Sequence, residues 1–486
     1  MAQVARPLTP EASARHRFGA ELRRWRLRRE LSQDALGRLI HASGDLIAKI
    51  EKAQRWPSAD FARRCDVVLD TNEALITLMP LLERERRRDR FLVQPPTTQP
   101  DKHQLVDLVA STFPADRQSS RAEIQGDPWT LRLPAGRMFA ATSLNAWLTE
   151  PVARRPDHLT AATPPSVAAR PGDLLVAQDL DGDQPRFYAV DARRRSRAEG
   201  GVAIPLAYLL DDFTIGILWA SRTLDDALLN DDQLLAETLD RFRPSGAARG
   251  ADALPTDDLT QIAQAWLGSY ACARFISAHV GAPPGPPLFW TREQRGEEAA
   301  TWLLFGHKID YLRTLRARYK DRTGPMGRVF CLPEATAVTG PRAERVLLLL
   351  AAALMEAMGV AVHVCTEPDY SAVEGFVLTP DGTVIVANWL RADRVWHATV
   401  IAGRPAVGSY RDALRFGQAA SIISADAPTD RLQRLADYLS LDWTWLTARA
   451  AQISAAGVTG LIRPRSRLLS HTGIETACRF LAVQPR

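Results

Sequence analysis

Apolar residues recur along the first part of the chain at helical spacing. Phe18, Leu22, Trp25 and Leu27 stripe one segment, Leu36, Leu39 and Ile40 a second, and Leu46, Ile47 and Ile50 a third. Such recurrence predicts amphipathic helices packed on one another. Ser32 stands where it can cap the second helix, running from Gln33 to about Ile40. Ser43 can cap the third after a short break at His41 and Ala42, and Pro57 ends the helical run beyond it. Two short capped helices joined by a turn of about three to four residues make a helix-turn-helix layout.

The pattern then changes. Short apolar or alternating runs bounded by Gly, Pro or Asp predict strands at Trp129–Leu133, Leu174–Gln178, Arg186–Val190 and Ile215–Ala220. Helical spacing returns over Leu259–Val280, Thr291–Tyr319 and Arg342–Met358, the last stopped by Gly359. Val360–Cys365 alternates like a strand. Glu374–Leu378 and Thr383–Trp389 flank Thr379-Pro380-Asp381-Gly382, a hairpin turn in which Pro sets φ and Gly accepts a positive one. Helical periodicity resumes from Tyr410 to about Ser454. The apolar run Val346–Met355 ends at Glu356 and is too short to span a bilayer, so it reads as a buried helix.

Four Pro- and Gly-rich stretches read as linkers or loops: Gln94–Pro100, Pro156–Gly172, Pro244–Asp258 and Gly281–Pro287. They divide the chain into an all-α helix-turn-helix head (15–90), a small β-rich middle domain (101–243) and an α+β carboxy-terminal body (259–486). The expected fold class is thus multidomain. With 46% apolar and 24% charged residues, the chain is not of the disordered class. Its five cysteines lie far apart with no C-x-x-C pair, which argues against a structural zinc site or a disulfide framework. No secretory signal precedes the first helix, and a reducing cytoplasm is the expected compartment.

Charge sharpens this picture. Residues 1–90 hold nineteen Lys and Arg against thirteen Asp and Glu, which exceeds the whole chain's net charge of +5. A basic head on a nearly neutral remainder is the electrostatic footprint of a nucleic-acid-binding unit, although a solvated basic face would have the same composition.

The stretch Phe18–Ser58 resembles the Xre/Cro-type helix-turn-helix family, whose fold is lambda-repressor-like. The matching residues are Leu31-Ser32-Gln33, Leu36, Ser43, Leu46-Ile47, Lys49-Ile50-Glu51, Arg55 and Pro57-Ser58. The resemblance implies sequence-specific binding of double-stranded DNA, usually by a homodimer on a palindromic operator. It assigns Gln33 to a phosphate contact, and Ser43, Gly44, Asp45 and Lys49 to groove-facing positions. Lys52 and Arg55 suit the phosphate backbone. His41 stands at the family's turn glycine and Ala53 at the glycine after the recognition helix. Asp45 sits where a long donor is more usual; it could accept from cytosine N4 but is repelled by phosphates. The run Glu83–Arg90 could extend the last helix of the unit or add a phosphate contact. Val360 to about Leu435, Asp211–Trp219 and Phe289–Leu304 resemble segments of long actinobacterial regulators of the same type, without a known ligand or reaction.

No catalytic constellation stands out in the body. Arg170–Val176 with Phe187–Val190 resembles the β domain of LexA-like self-cleaving proteins, but that reaction needs Ser activated by Lys, and no Lys lies between Lys102 and Lys308. No G-x-S-x-G elbow, Walker loop, H-E-x-x-H or G-x-G-x-x-G occurs. His307 and Lys308 with Glu293, Glu297 and Glu298 form the densest polar cluster and read as a solvated helix face. His363 and Cys365 are too few to hold a metal. Ten of the twelve tryptophans lie after residue 100, mostly as core, and some could line an apolar ligand pocket.

The expectation is a cytoplasmic, nucleoid-associated transcriptional regulator that is not an enzyme and carries no metal or other cofactor. Its partners would be duplex DNA, a small-molecule effector and a second copy of itself, with no membrane. The alternatives are an enzyme or a partner-recruiting scaffold fused to the helix-turn-helix.

Overall fold

The computed structural model describes residues 14–71, 74–79, 82, 129–133, 138–139, 142–163, 170–179, 186–194, 201–241, 258–281, 285–292, 295–320, 324–389 and 395–483. The runs Glu83–Arg90 and Gln94–Pro100, the residue Glu293 and nearly all of Pro244–Asp258 lie outside them. The chain divides at residue 101 into two compact units.

The first unit is helical: α1 (Ala14–Arg28), α2 (Gln33–Leu39), α3 (Gly44–Glu51) and α4 (Ala59–Leu69), then a single 3₁₀ turn at Ile76–Leu78. Phe18, Leu22, Leu36, Ile47, Ile50 and Phe61 close its core. Two positions of the expected stripes fail: Leu27 is exposed while Arg26 is buried in its place, and Leu39, at the end of α2, faces solvent.

Among its described residues the second unit holds two six-stranded sheets. The first contains β1 (Trp129–Leu133), β2 (Thr142–Arg154), β3 (His158–Ala162), β4 (Leu174–Asp179), β5 (Arg186–Asp191) and β6 (Gly201–Pro205), in the order β5-β4-β2-β3-β6, with β1 also on β2. The 13-residue β2 serves as the common partner: its first half pairs with β1 and β4, its second half with β3. The register shifts between Pro151 and Ala153, next to a residue that cannot donate to a ladder. The stretch expected as a linker at 156–172 therefore contains a strand.

Ile215–Ala220, expected as a strand, lies inside helix α5 (Asp212–Asn230). Asp211 and Thr214 form a reciprocal capping box at its start, and α5 is then buried along most of its length. A fully buried helix has no polar face, so its apolar run carries no period to distinguish it from a buried strand. Helix α6 (Asp232–Arg241) comes after it.

Next come α7 (Gln261–His279), β7 (Leu288–Thr291), α8 (Gly296–Leu304), α9 (Gly306–Tyr319), β8 (Met326–Cys331), α10 (Glu334–Thr339), α11 (Arg342–Ala357), β9 (Val360–Cys365), β10 (Phe376–Leu378), β11 (Val384–Asn388) and β12 (His397–Ile401). Strands β7, β8 and β9 are parallel, while β10, β11 and β12 add antiparallel beside β7. The hairpin turn stands at the expected place, with Gly382 at φ +84. The single helix expected over Thr291–Tyr319 is broken: Phe305 is extended and bridges Leu469, and the Gly306 N–H donates to Leu468 at 3.1 Å. Four helices finish the chain: α12 (Arg404–Ala419), α13 (Pro428–Tyr438), α14 (Trp443–Ala456) and α15 (Thr472–Ala482). The helical stretch expected from Tyr410 to Ser454 is thus three helices, interrupted by 420–427 and by Ser440 at φ +52.

Whereas the sequence reading separates 101–243 from 259–486, one hydrophobic core runs through both, from Leu131 to Leu481. Helix α11 is buried from Arg342 to Glu356 and packs on α5 so closely that a Cβ at Gly216 would lie 2.8 Å from the Ala343 carbonyl. The Tyr208 hydroxyl donates to the Gly457 carbonyl at 2.6 Å, and Asp225 pairs with Arg465 at 2.8 Å. Among the described residues, no helix is long and apolar enough to cross a membrane.

Candidate nucleic-acid interface

Local chemistry builds the helix pair. The Ala35 N–H donates to Ser32 Oγ at 3.0 Å, and the Leu46 N–H donates to Ser43 Oγ at 3.2 Å, so each serine closes the start of its helix. Between them His41 takes φ +53, the left-handed turn, and the Ala42 N–H donates to the Gly37 carbonyl at 2.8 Å. A side chain at Gly37 would press on that turn, since a Cβ there would lie 2.6 Å from the Ala42 carbonyl. Ala53 takes φ +55 after α3, so both non-glycine residues at the family's glycine positions keep the left-handed geometry. His accepts it more readily than Ala.

A buried ion pair locks α3 to the rest. Glu51 is 2% exposed and receives Arg26 Nε at 2.6 Å, while the Gln33 amide donates to its second oxygen at 2.7 Å. Arg26 also donates to the Leu31 carbonyl at 2.7 Å. One carboxylate thereby ties α1, α2 and α3 together. Gln33, assigned by resemblance to a phosphate contact, has its amide donor engaged inside the head.

The remaining assigned positions divide by surroundings. Asp45, Lys49, Lys52 and Arg55 are exposed. Lys49 Nζ lies 2.7 Å from Asp45 across one helical turn, a pairing worth about 0.3–0.5 kcal/mol on an exposed surface and easily exchanged for another anion. Lys52 and Arg55 stand outside any ion pair among the described residues. Ser43 is exposed, but its oxygen serves the cap. Gly44 backs onto helix α2, where any Cβ would run into the Asp34 carboxylate, so it is a close-approach position. Arg38, exposed in the last turn of α2, adds a further cation to this unit.

The polar cluster of the body is not a solvated face. Glu297 is buried and accepts the N–H groups of Met138 and Phe139 at 2.6 and 2.5 Å. Glu298 accepts the Arg295 N–H at 2.7 Å at the start of α8. Glu344 accepts the Gly296 N–H, and burial, followed by the charges of Glu297 and Glu298, pushes its carboxyl up to about 7. Lys308 is 2% exposed and points into a group of aromatic rings. Short-range periodicity places these side chains on a helix but cannot tell which strand or helix later covers it. Among the described residues, no group of three or more His, Cys, Asp or Glu could hold a metal ion.

A family model described as a helix-turn-helix domain matches residues 17–79, the span of the four helices and the 3₁₀ turn just described. The head is therefore a helix-turn-helix domain of the kind that binds DNA. Comparison with curated proteins and with solved structures returned no match.

Proposed function

We propose that the chain is a sequence-specific transcriptional regulator of the Xre/Cro type, with a head that docks α3 in the major groove of duplex DNA. The observation that carries this reading is the capped α2–α3 pair with Lys49, Lys52 and Arg55 exposed on and just after α3. The concentration of basic residues in the first 90 positions supports it, because phosphate neutralisation dominates affinity for duplex DNA. The exposed cations meet the DNA in this reading, while Gln33 also ties α2 to α3 through Glu51. In this reading the protein works in the cytoplasm as a homodimer, and the body senses a small molecule rather than catalysing a reaction.

Gel shifts against genomic fragments at several salt concentrations test the reading. Lys49→Ala is expected to lose about 1–3 kcal/mol of binding if it reads a base, and Lys52→Ala to lower the salt slope by about 1. Unchanged binding by both variants, or no bound fragment at low salt, would overturn it.

A further inference from the structure

Between β7, β8, β10 and β11 of the second sheet and the helices α7, α8 and α9 lies a cavity of about 70 Å³. That is room for about five water-sized groups. Its walls are largely aromatic, and the charged groups among them are basic. Lys308 Nζ sits 4.2 Å from the Trp302 ring centre and 4.5 Å from that of Trp389, donating to the Thr301 hydroxyl at 2.7 Å. The Arg328 guanidinium lies 4.5 Å from the Phe289 ring centre and donates to the Thr291 hydroxyl at 2.8 Å. Arg328 Nε, Asn388 Nδ2 and Trp302 Nε1 are buried and have no hydrogen-bond partner among the described residues. Among those residues no Asp or Glu lines the cavity.

Such a lining is costly unless something answers it. Buried charges in folded proteins are paired, and buried donors are satisfied. Here Lys308, Arg328 and Arg292 line one largely apolar chamber, where hydroxyls accept from Lys308 and Arg328 and, among the described residues, no carboxylate lines the walls. We propose that this chamber is a binding site for a small monocarboxylate with an apolar body, whose oxygens receive Lys308, Arg328 and Asn388 and whose remainder packs on the tryptophan rings. A monocarboxylate suits the site better than phosphate, because its apolar body packs on the aromatic rings, which phosphate would leave unfilled. Burial, then the nearby Arg328, pushes Lys308 well below the ordinary lysine value, while Arg328 itself is lowered only to about 10 and keeps its charge at neutral pH. This assignment rests on the reading of the body as a sensor and gives that sensor a ligand class.

Titration of the full chain with propionate and butyrate, followed by tryptophan fluorescence and calorimetry, tests the site, with inorganic phosphate as the contrasting probe. At least one carboxylate is expected to bind saturably with a Kd of about 1 mM or tighter. Lys308→Met should weaken it at least tenfold while raising the melting temperature, since a buried amine without a counter-charge gives way to an apolar chain of similar length. Asn388→Leu should weaken it as well. The site is overturned if neither carboxylate binds, if phosphate binds as well as they do, or if Lys308→Met binds normally or melts lower than the parent. Gel shifts read the DNA-binding function separately. Carboxylate binding in a chain that binds no DNA supports the site and removes the regulator reading; DNA binding without carboxylate binding does the reverse.

Discussion

Lys49 and Lys308 are two of only five lysines in the chain, and they lie in opposite surroundings. Lys49 stands in solvent on α3, loosely held by Asp45, where water screens its charge and any anion of comparable strength can displace its partner. Lys308 stands among Trp302, Phe305 and Trp389, where nothing screens it. The head also buries a cation, Arg26, but answers it in full with Glu51. The body's Arg328 is met by a threonine hydroxyl. The head thus uses its buried charge to hold three helices together, whereas the body carries buried positive charge that its own fold does not neutralise. A cation unneeded by the fold is a better guide to a ligand than a cation that is exposed.

The largest effect is expected when the head's buried cation is left as unanswered as those of the body. Glu51→Ala leaves Arg26 buried and unanswered, and is expected to lower the stability of the head by about 3–5 kcal/mol. Thermal unfolding of the full chain followed by helix-sensitive circular dichroism would measure this, and DNA binding should fall with it. A loss below about 1 kcal/mol would mean that water reaches the pair.

Acid acts on the body instead, where two buried histidines are held neutral. Burial lowers His471 to about 4 and, with Lys308 beside it, lowers His307 to about 3. An unfolded histidine takes up its proton near 6.5, so between pH 6.5 and 4 the unfolded state binds more protons and stability falls as pH falls. The expected slope is about 1.4 kcal/mol per pH unit for each histidine. Urea unfolding followed by tryptophan fluorescence should show it, since ten of the twelve tryptophans lie after residue 100. His471→Gln should make the dependence shallower, and an unaltered slope would exclude His471 as a source.

The smallest effect concerns backbone strain in the head alone. Ala53 occupies the left-handed region without the freedom of glycine. Ala53→Gly should stabilise the head by about 1 kcal/mol and leave the body's acid sensitivity unchanged. A destabilised variant would show that burial of the Ala53 methyl outweighs the strain.

Much of the head was legible in the sequence. Ser32, Ser43 and Pro57 act on backbone groups within a few residues, so spacing alone places both helices and the turn. The same holds for the hairpin at Thr379–Gly382 and for the strands at 129–133 and 360–365. Leu27 and Arg26 exchanged their expected places because one buried salt bridge to Glu51, distant in sequence, decided which face of α1 turned inward. Strands β2, β3 and β6 were missed because their stability comes from partners: half of β2 is exposed on alternate positions or throughout, and β3 carries mostly small side chains. The aromatic richness of the body pointed to a pocket in general terms, but not to its charge.

Taken by itself, the order of residues determined what short-range forces determine: helix caps, turns, amphipathic stripes and the concentration of basic residues in the head. Only the tertiary structure decided that Ile215–Ala220 would be helix, that the helix expected over Thr291–Tyr319 would break at Phe305, and that Lys308 and Arg328 would share one chamber. Arg328 arrives on β8 and Lys308 on α9, and what brings them together is the pairing of β7 with β8 and β10 beneath three helices. Burial of a charge is a property of everything packed around it, and contributions spread over so many distant segments leave no local pattern to read.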